Sequence, residues 1–168
     1  MSTRARLFRF PDTVDERAAR LVAAGVVLMA LTVILLGQHW VLYLLAFGFV
    51  ARVLAGPRIS PLALLVTRVV VPRLPGPARP VPGPPKRFAQ GIGATLSVAA
   101  LVAYALVGSS TAADVLIGMV AIAATLEAAF GLCLGCVIFG WLMRVGVIPS
   151  SVCEACNSLD LRASTARR

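Results

Sequence analysis

The sequence predicts an all-α integral membrane protein. It is expected to form a four-transmembrane-helix bundle with an interfacial amphipathic helix and a proline-rich cytoplasmic loop. Of its 168 residues, 59% are hydrophobic and only 14% are charged, whereas a soluble domain is about half apolar and about a quarter charged. The mean hydropathy is +0.90. The 16 basic residues fall into three blocks, and the apolar stretches between those blocks contain none. This is the pattern of loops that share one side of a bilayer.

The first two spans are expected at about residues 18–36 and 40–55, with the short turn Gly37-Gln-His39-Trp40 between them. An apolar stretch of about 20 residues is long enough to cross a hydrocarbon core of about 30 Å. Arg52, near the far end of the second span, is expected to extend its head group to the interface. His39 is the only histidine. In a tight turn beside Trp40 it is interpreted as a solvated interface residue and not as a metal or proton site.

Two further segments precede the third span. Residues 60–71 are apolar but short and are interrupted by Arg68, which is typical of an amphipathic helix lying in the membrane interface. Residues 72–85 contain seven prolines. Such a density favours an extended, polyproline-like connector without helix or sheet.

The third and fourth spans are expected at about residues 91–107 and 115–139, and a cysteine-containing tail covers residues 143–168. Neither tight inter-span turn carries Lys or Arg, so all three basic blocks are predicted to share the cytoplasmic face. Both termini are then cytoplasmic, in a multi-pass protein of the bacterial inner (plasma) membrane. Residues 1–168 form a single membrane domain in this interpretation.

All four cysteines lie in the last quarter of the chain, as the pairs Cys133-x-x-Cys136 and Cys153-x-x-Cys156, with sixteen residues between the pairs. In the predicted topology all four thiols are at the cytoplasmic face, where thiols stay reduced and serve metal binding or catalysis more often than structural disulfides. Three interpretations remain open.

The first interpretation is a thiol-disulfide redox or sulfur-relay centre, with the four cysteines as catalytic residues. One point opposes thioredoxin-like chemistry. The predicted fourth span places Cys133 and Cys136 at the C-terminal end of a helix, where the dipole raises the pKa of a thiol instead of lowering it.

The second interpretation is a structural zinc held by Cys133, Cys136, Cys153 and Cys156, because their spacing falls inside the zinc-ribbon pattern. The protein would then be a membrane scaffold or interaction subunit. An iron–sulfur cluster would need the same four ligands and is the alternative to zinc.

The third interpretation is a component for small-solute or ion transport. It rests on Glu127, predicted to lie within the last span, since an intramembrane acid is a functional candidate by default. Glu127, Gly131 and Gly135 also follow one helical ridge, a pattern that equally indicates close helix packing.

The motifs together resemble a bacterial membrane-protein family. They are Val14-Asp-Glu-Arg17, Gly56-Pro-Arg-Ile-Ser-Pro61, Pro82-Gly-Pro-Pro-Lys-Arg-Phe-Ala-Gln90, the Cys-x-Gly-Cys at 133–136 and Cys153-Glu-Ala-Cys156. The chain resembles, over about residues 10–157, the family catalogued as domain of unknown function 4395. The resemblance implies a small multi-span membrane protein and carries no activity with it.

The expected partners follow from these interpretations. They are the lipid bilayer and a thioredoxin-like or sulfurtransferase protein, with other membrane subunits or a second copy of the chain as alternatives. There is no phosphate-binding loop, no Ser/His/Asp set and no paired carboxylates, so ordinary hydrolase chemistry is not expected. Nucleic acid is not an expected partner, because the basic tail is most simply a contact to anionic lipid.

Overall fold

The computed structural model describes residues 13–75, 77 and 79–153. Its main elements in chain order are β1 (Thr13–Asp15), α1 (Glu16–Leu36), α2 (Val41–Ala55), α3 (Pro61–Leu65), β2 (Pro80–Pro82), α4 (Gly83–Ala105), α5 (Ser110–Phe130) and α6 (Leu134–Arg144). Short 3-10 helices occupy Gly56–Arg58, Val71–Arg73 and Ser150–Cys153, and a π-helical segment, Val66–Val70, continues α3. The predicted tail beyond residue 153, with Cys156, lies outside the described residues.

Within the described residues, four segments are long and apolar enough to cross a membrane: Glu16–Leu36, Val41–Arg73, Gly83–Ala105 and Ser110–Phe130. Helix α1 packs mainly on α5, α2 packs on α4, and α4 packs on α5. The core between them includes the fully buried side chains of Val33, Leu42, Leu45 and Ile117. Large apolar side chains such as Leu28 and Ile122 point outward, as a lipid environment permits. The predicted fold class, a four-helix membrane bundle, is confirmed.

The proline-rich segment is more ordered than the sequence suggested. Residues Pro80–Pro82 form strand β2, which pairs antiparallel with Thr13–Asp15, because prolines are tolerated where a strand has a free edge. Helix α4 then begins at Gly83, eight residues before the predicted start of the third span, with prolines in its first turn. Proline is compatible with the first turn of a helix, where its missing N–H has no intrahelical partner.

The fourth predicted span, residues 115–139, is two helices in the structure. Helix α5 begins earlier, at Ser110, with Ser109 as its N-cap, and ends at Phe130. Gly131 adopts φ 70° and donates its N–H to the Glu127 carbonyl, while Leu132 donates to the Leu126 carbonyl. The bond from Gly131 to Glu127, with Gly131 in the left-handed conformation, is an αL C-cap. The chain therefore turns at Gly131, and α6 starts afresh at Leu134.

Candidate functional site at the basic end of the bundle

The first cysteine pair occupies the N-terminal turn of α6. Cys133 is the N-cap residue, in an extended conformation (φ −90°, ψ 104°), and its carbonyl accepts a hydrogen bond from Val137 N–H (3.1 Å). Cys136 lies one turn further along the same helix. The placement of this pair at a helix C-terminus was wrong, since the break at Gly131 puts it at a helix N-terminus. The helix dipole there favours a thiolate.

The two thiols are free and interact with each other. Both lie beyond the last of the four candidate spans. A hydrogen bond from Cys136 is the main cause that lowers the pKa of Cys133. Burial and the Glu127 carboxylate oppose it, and the Lys86 cation adds to it. The same hydrogen bond, together with burial, raises the pKa of Cys136. Of the two thiols, Cys133 is thus the one that loses its proton more readily, and Cys136 is the one that retains it.

The two sulfurs also differ in access. The Cys133 residue is 7% exposed and lines a cavity of about 270 Å³, whereas Cys136 is half-buried. Cys133 thus faces the interior of the bundle, and Cys136 is the sulfur nearer the surface.

An ion pair joins α4 to α5 beside the dithiol. Lys86 Nζ, in the second turn of α4, donates to Glu127 Oε1, and their side chains are only 10% and 17% exposed. Glu127 was predicted within a span that continues to residue 139, but it lies in the last turn of α5, because α5 ends at Phe130. Its acidic group is therefore paired at the end of the bundle.

Arg52 is the second buried cation of this end. It is 5% exposed, so the expectation that it extends to the interface was wrong. Its Nε donates to the Gly48 carbonyl of its own helix (3.0 Å), and its guanidinium lies 4.4 Å above the Phe49 ring. Phe49 is seated by Gly93 of α4, where a Cβ atom would lie 2.3 Å from the ring. This close approach of α2 to α4 keeps the guanidinium inside the bundle.

Arg52 and Gln90 together line two cavities. The first, here the thiol cavity, has the volume of about 270 Å³ and is lined by Arg52, Gln90, Glu127 and Cys133 among mainly apolar side chains. The second, here the basic cavity, has about 300 Å³ and is lined by Arg52, Arg58, Lys86, Gln90 and Asp15. Arg52 and Gln90 line both. The Oε1 atom of Gln90 is buried and has no hydrogen-bond partner.

Helix α6 is held against α4 by a backbone contact. At Gly135 a Cβ atom would lie 2.5 Å from the Cα of Ala89, so only glycine allows this approach. Phe88 and Phe139 pack beside it with ring centroids 5.7 Å apart. The predicted close-packing role of Gly135 agrees with this contact, although Gly131 serves as a helix cap and the three-residue ridge is interrupted.

Arg20 fixes the other side of the break. Its guanidinium donates to the Ala128 carbonyl (3.1 Å) and to the Ala129 carbonyl (2.8 Å). These carbonyls belong to the last turn of α5, which has no intrahelical donors for them. The start of α1 therefore anchors the segment that leads to Cys133.

The second cysteine pair is only partly described. Cys153 is buried, 2% exposed, and is disulfide-bonded, and its 3-10 helix lies against α4. Cys156 lies outside the described residues. A disulfide-bonded sulfur offers no thiolate to zinc, and within residues 13–75, 77 and 79–153 no three His, Cys, Asp or Glu side chains converge as a metal site. The zinc site stays a prediction, because Cys156, one of its four ligands, lies outside the described residues.

His39 lies at the opposite end of the bundle and has defined partners. Its ring stacks on Tyr104 at 4.5 Å, Nδ1 lies 3.0 Å from the Gly37 carbonyl, and Nε2 lies 3.2 Å from Asp114 Oδ1. It therefore links the two turns of that end, which the interpretation as a solvated residue missed.

Sequence reasoning singled out Cys133, Cys136 and Glu127 but missed Lys86 and Gln90 as site residues. A signal for them was present. Both follow Pro84 and Pro85 closely in the sequence, and proline is favoured in the first turn of a helix. Starting the third span at residue 91 placed them in a loop.

The comparisons with known proteins agree with the motifs. Residues 14–144 match the family model described as domain of unknown function DUF4395. The match covers most of the chain, and the chain belongs to this family. Neither a curated protein nor a solved structure matches it.

Proposed function

We propose that this member of the DUF4395 family exchanges electrons between its Cys133–Cys136 pair and the cysteine pair of a thioredoxin-like protein at the membrane surface. The observation that carries the proposal is the position of Cys133 as N-cap of α6, with the second free thiol, Cys136, in the first turn of the same helix. Reactive Cys-x-x-Cys pairs use a helix N-terminus and a nearby cation to stabilise one thiolate. Lys86 is the cation here.

The exchange runs through the more accessible sulfur. When the pair is oxidised, a thiolate of the partner attacks Cys136, the Cys133–Cys136 bond breaks, and Cys133 leaves as the stabilised thiolate. A sulfur of low pKa is the better leaving group. The partner's second thiol then attacks its own sulfur in the mixed disulfide, and its proton passes to Cys136. The pair gains two electrons, and the partner's dithiol becomes a disulfide. The reverse direction follows the same steps backwards.

The site is proposed to face the cytoplasm. Arg17, Arg20, Arg52, Lys86 and Arg87 all belong to the helix ends that surround the dithiol. Basic residues next to spans favour the cytoplasmic side. A soluble cytoplasmic dithiol protein is then the partner that fits.

The test is a trapping experiment in a background that carries Cys153→Ser and Cys156→Ser, so that the tail cannot exchange. Each protein is purified in mild detergent, reduced, and mixed with a thioredoxin variant that keeps only its attacking cysteine, activated as a mixed disulfide with thionitrobenzoate, so that no second thiol can release the adduct. In Cys133→Ser, Cys136 attacks the thioredoxin disulfide, and we expect a covalent adduct on native mass spectrometry. Cys136→Ser is the matched control. It should give at least about tenfold less adduct, because the remaining sulfur is buried.

More adduct with Cys136→Ser than with Cys133→Ser would overturn the proposed order of attack. Absence of an adduct with both variants, together with no exchange by the protein that retains Cys133 and Cys136, would overturn the proposed function. Circular dichroism of each variant confirms that the helical bundle is intact.

A further inference from the structure

We infer that Arg52 and Gln90, which line both the thiol cavity and the basic cavity, form a binding site for the oxyanion group of a small ligand. This site is separate from thiol exchange and does not depend on it.

The first argument is the charge of Arg52. A buried cation is normally paired with an acid, because an isolated charge in an apolar interior is costly. Lys86 satisfies Glu127 directly. Within the described part of the chain, no carboxylate lies within ion-pair distance of Arg52, which contacts the Phe49 ring and its own helix. Lys86 and Glu127 compensate each other, and Glu127 acts on Arg52 only from beyond ion-pair distance, so a bound monoanion would give Arg52 a partner of its own.

The second argument is Gln90. Its Oε1 atom is buried without a partner, although buried amide groups are normally hydrogen-bonded. A rotation of the amide by half a turn exchanges its donor and acceptor. Gln90 can therefore donate its N–H to an oxyanion held by Arg52, which removes the unpaired buried acceptor from this position.

The third argument is space. Arg52 and Gln90 line both cavities, whose volumes of about 270 and 300 Å³ lie near the lower end of the range of about 300–1,000 Å³ for ligand sites. The basic cavity carries Arg58 and Lys86 as further cations, and its acid, Asp15, accepts from the Arg17 N–H. An anion entering from this side meets a positive lining. A guanidinium binds carboxylate, sulfate and phosphate groups through paired N–H donors.

The ligand class is therefore an oxyanion, which can be a free small molecule or the phosphate of an anionic lipid. The experiment measures the thermal unfolding midpoint of the full chain in neutral detergent. Chloride is replaced by sulfate or phosphate at constant ionic strength, and a parallel series adds phosphatidylglycerol. Binding at about a hundredfold above the dissociation constant should raise the midpoint by about 5–10 °C, with saturation.

Three variants make the test specific. Arg52→Gln should abolish the rise, and Arg144→Gln, which removes an exposed arginine at the end of α6, should keep it. If Arg52→Gln does not fold, Gln90→Leu serves instead and should raise the half-saturating concentration about tenfold, as expected for one lost hydrogen bond.

The outcomes are distinct. A rise with sulfate or phosphate identifies a free oxyanion, and a rise with phosphatidylglycerol alone identifies a lipid head group. An unfolding midpoint that stays at its chloride value with sulfate, with phosphate and with phosphatidylglycerol overturns the site. So does a rise that persists unchanged in Arg52→Gln, or in Gln90→Leu where that variant replaces it.

Discussion

The two ends of the bundle treat their polar groups differently. At the turn end, His39 stacks on Tyr104 and reaches Asp114, and Trp40 donates to Gln38. The Asp114 side chain there is 33% exposed. At the basic end, Arg52, Lys86 and Cys133 are each less than 10% exposed, and Gln90 has an unpaired oxygen. One end pairs its polar groups near the surface, whereas the other end buries charge beside open space.

This difference indicates which end of the bundle is the better candidate for a functional site. Polar groups that are paired near the surface contribute modestly to stability and require no further explanation. Buried charges and unpaired acceptors reduce stability, so they persist where they serve a purpose. The basic end has that character, and the turn end does not.

The largest effect is expected from Glu127→Gln. It leaves Lys86 charged and buried without its partner, and breaking a buried pair on one side costs about 3–5 kcal/mol. The free energy of unfolding, measured by SDS titration in mixed micelles, should fall by that amount. Joint replacement by Lys86→Met and Glu127→Met should recover most of the loss, because no charge is then left unpaired.

If Glu127→Gln were as stable as the wild type, the ion pair would not contribute in the membrane state. The same variant also bears on the transport hypothesis, which requires the acid for flux. Normal flux in Glu127→Gln would remove that hypothesis.

The second effect concerns the seat of α6 on α4. In Gly135→Ala the added Cβ atom would lie 2.5 Å from Ala89, and such overpacking costs about 1–3 kcal/mol. Gly140→Ala is the matched control in the same helix, where a Cβ atom meets nothing within 4 Å. It should be neutral or stabilising by up to about 1 kcal/mol, since alanine favours helix over glycine. Equal stability of the two variants would contradict the contact.

The third effect concerns the charge of Cys133. Cys136→Ala removes the thiol that donates to it and so raises the pKa of Cys133. The thiolate fraction is lost as pH falls through the pKa, so the pH midpoint for alkylation of Cys133 by iodoacetamide should move to higher pH. In Cys136→Ser the hydroxyl can still donate, and the midpoint should move less. A midpoint that does not differ between the two variants would show that the hydrogen bond has no part in it.

The smallest effect is expected at the turn end. Asp114→Asn replaces a partly exposed partner of His39 with an amide that can still hydrogen-bond, and such surface pairs contribute less than about 1 kcal/mol. The same SDS titration should give a loss well below that of Glu127→Gln. A loss of equal size would erase the distinction between the two ends.

The spans were predictable because hydropathy depends on composition over about 20 residues. The ends of the helices were harder to predict than the spans, because each end depends on single residues. Hydropathy runs without interruption through residues 115–139, so the cap at Gly131 was missed although a glycine after an apolar run is a known stop signal. That one glycine decides which helix end the thiols occupy.

How deeply the charged side chains are buried could also not be predicted from the sequence. Arg52 stands where a long side chain usually reaches the interface. Its burial depends on the approach of α2 to α4 at Gly93, a tertiary contact that no local pattern encodes. The ion pair of Lys86 and Glu127 joins residues 41 positions apart. Predicting it would have required the correct start of α4 and the correct end of α5.

The unequal exposure of Cys133 and Cys136 implies that the pair selects its reactants by size. Cys136 lies where a protein surface can approach, while Cys133 borders a cavity of about 270 Å³ that excludes anything larger than a small molecule. An alkylating reagent attached to a bulky polymer should therefore label Cys136 alone, and a reagent of a few atoms should reach both. The size of a reagent therefore decides which of the two sulfurs it can reach.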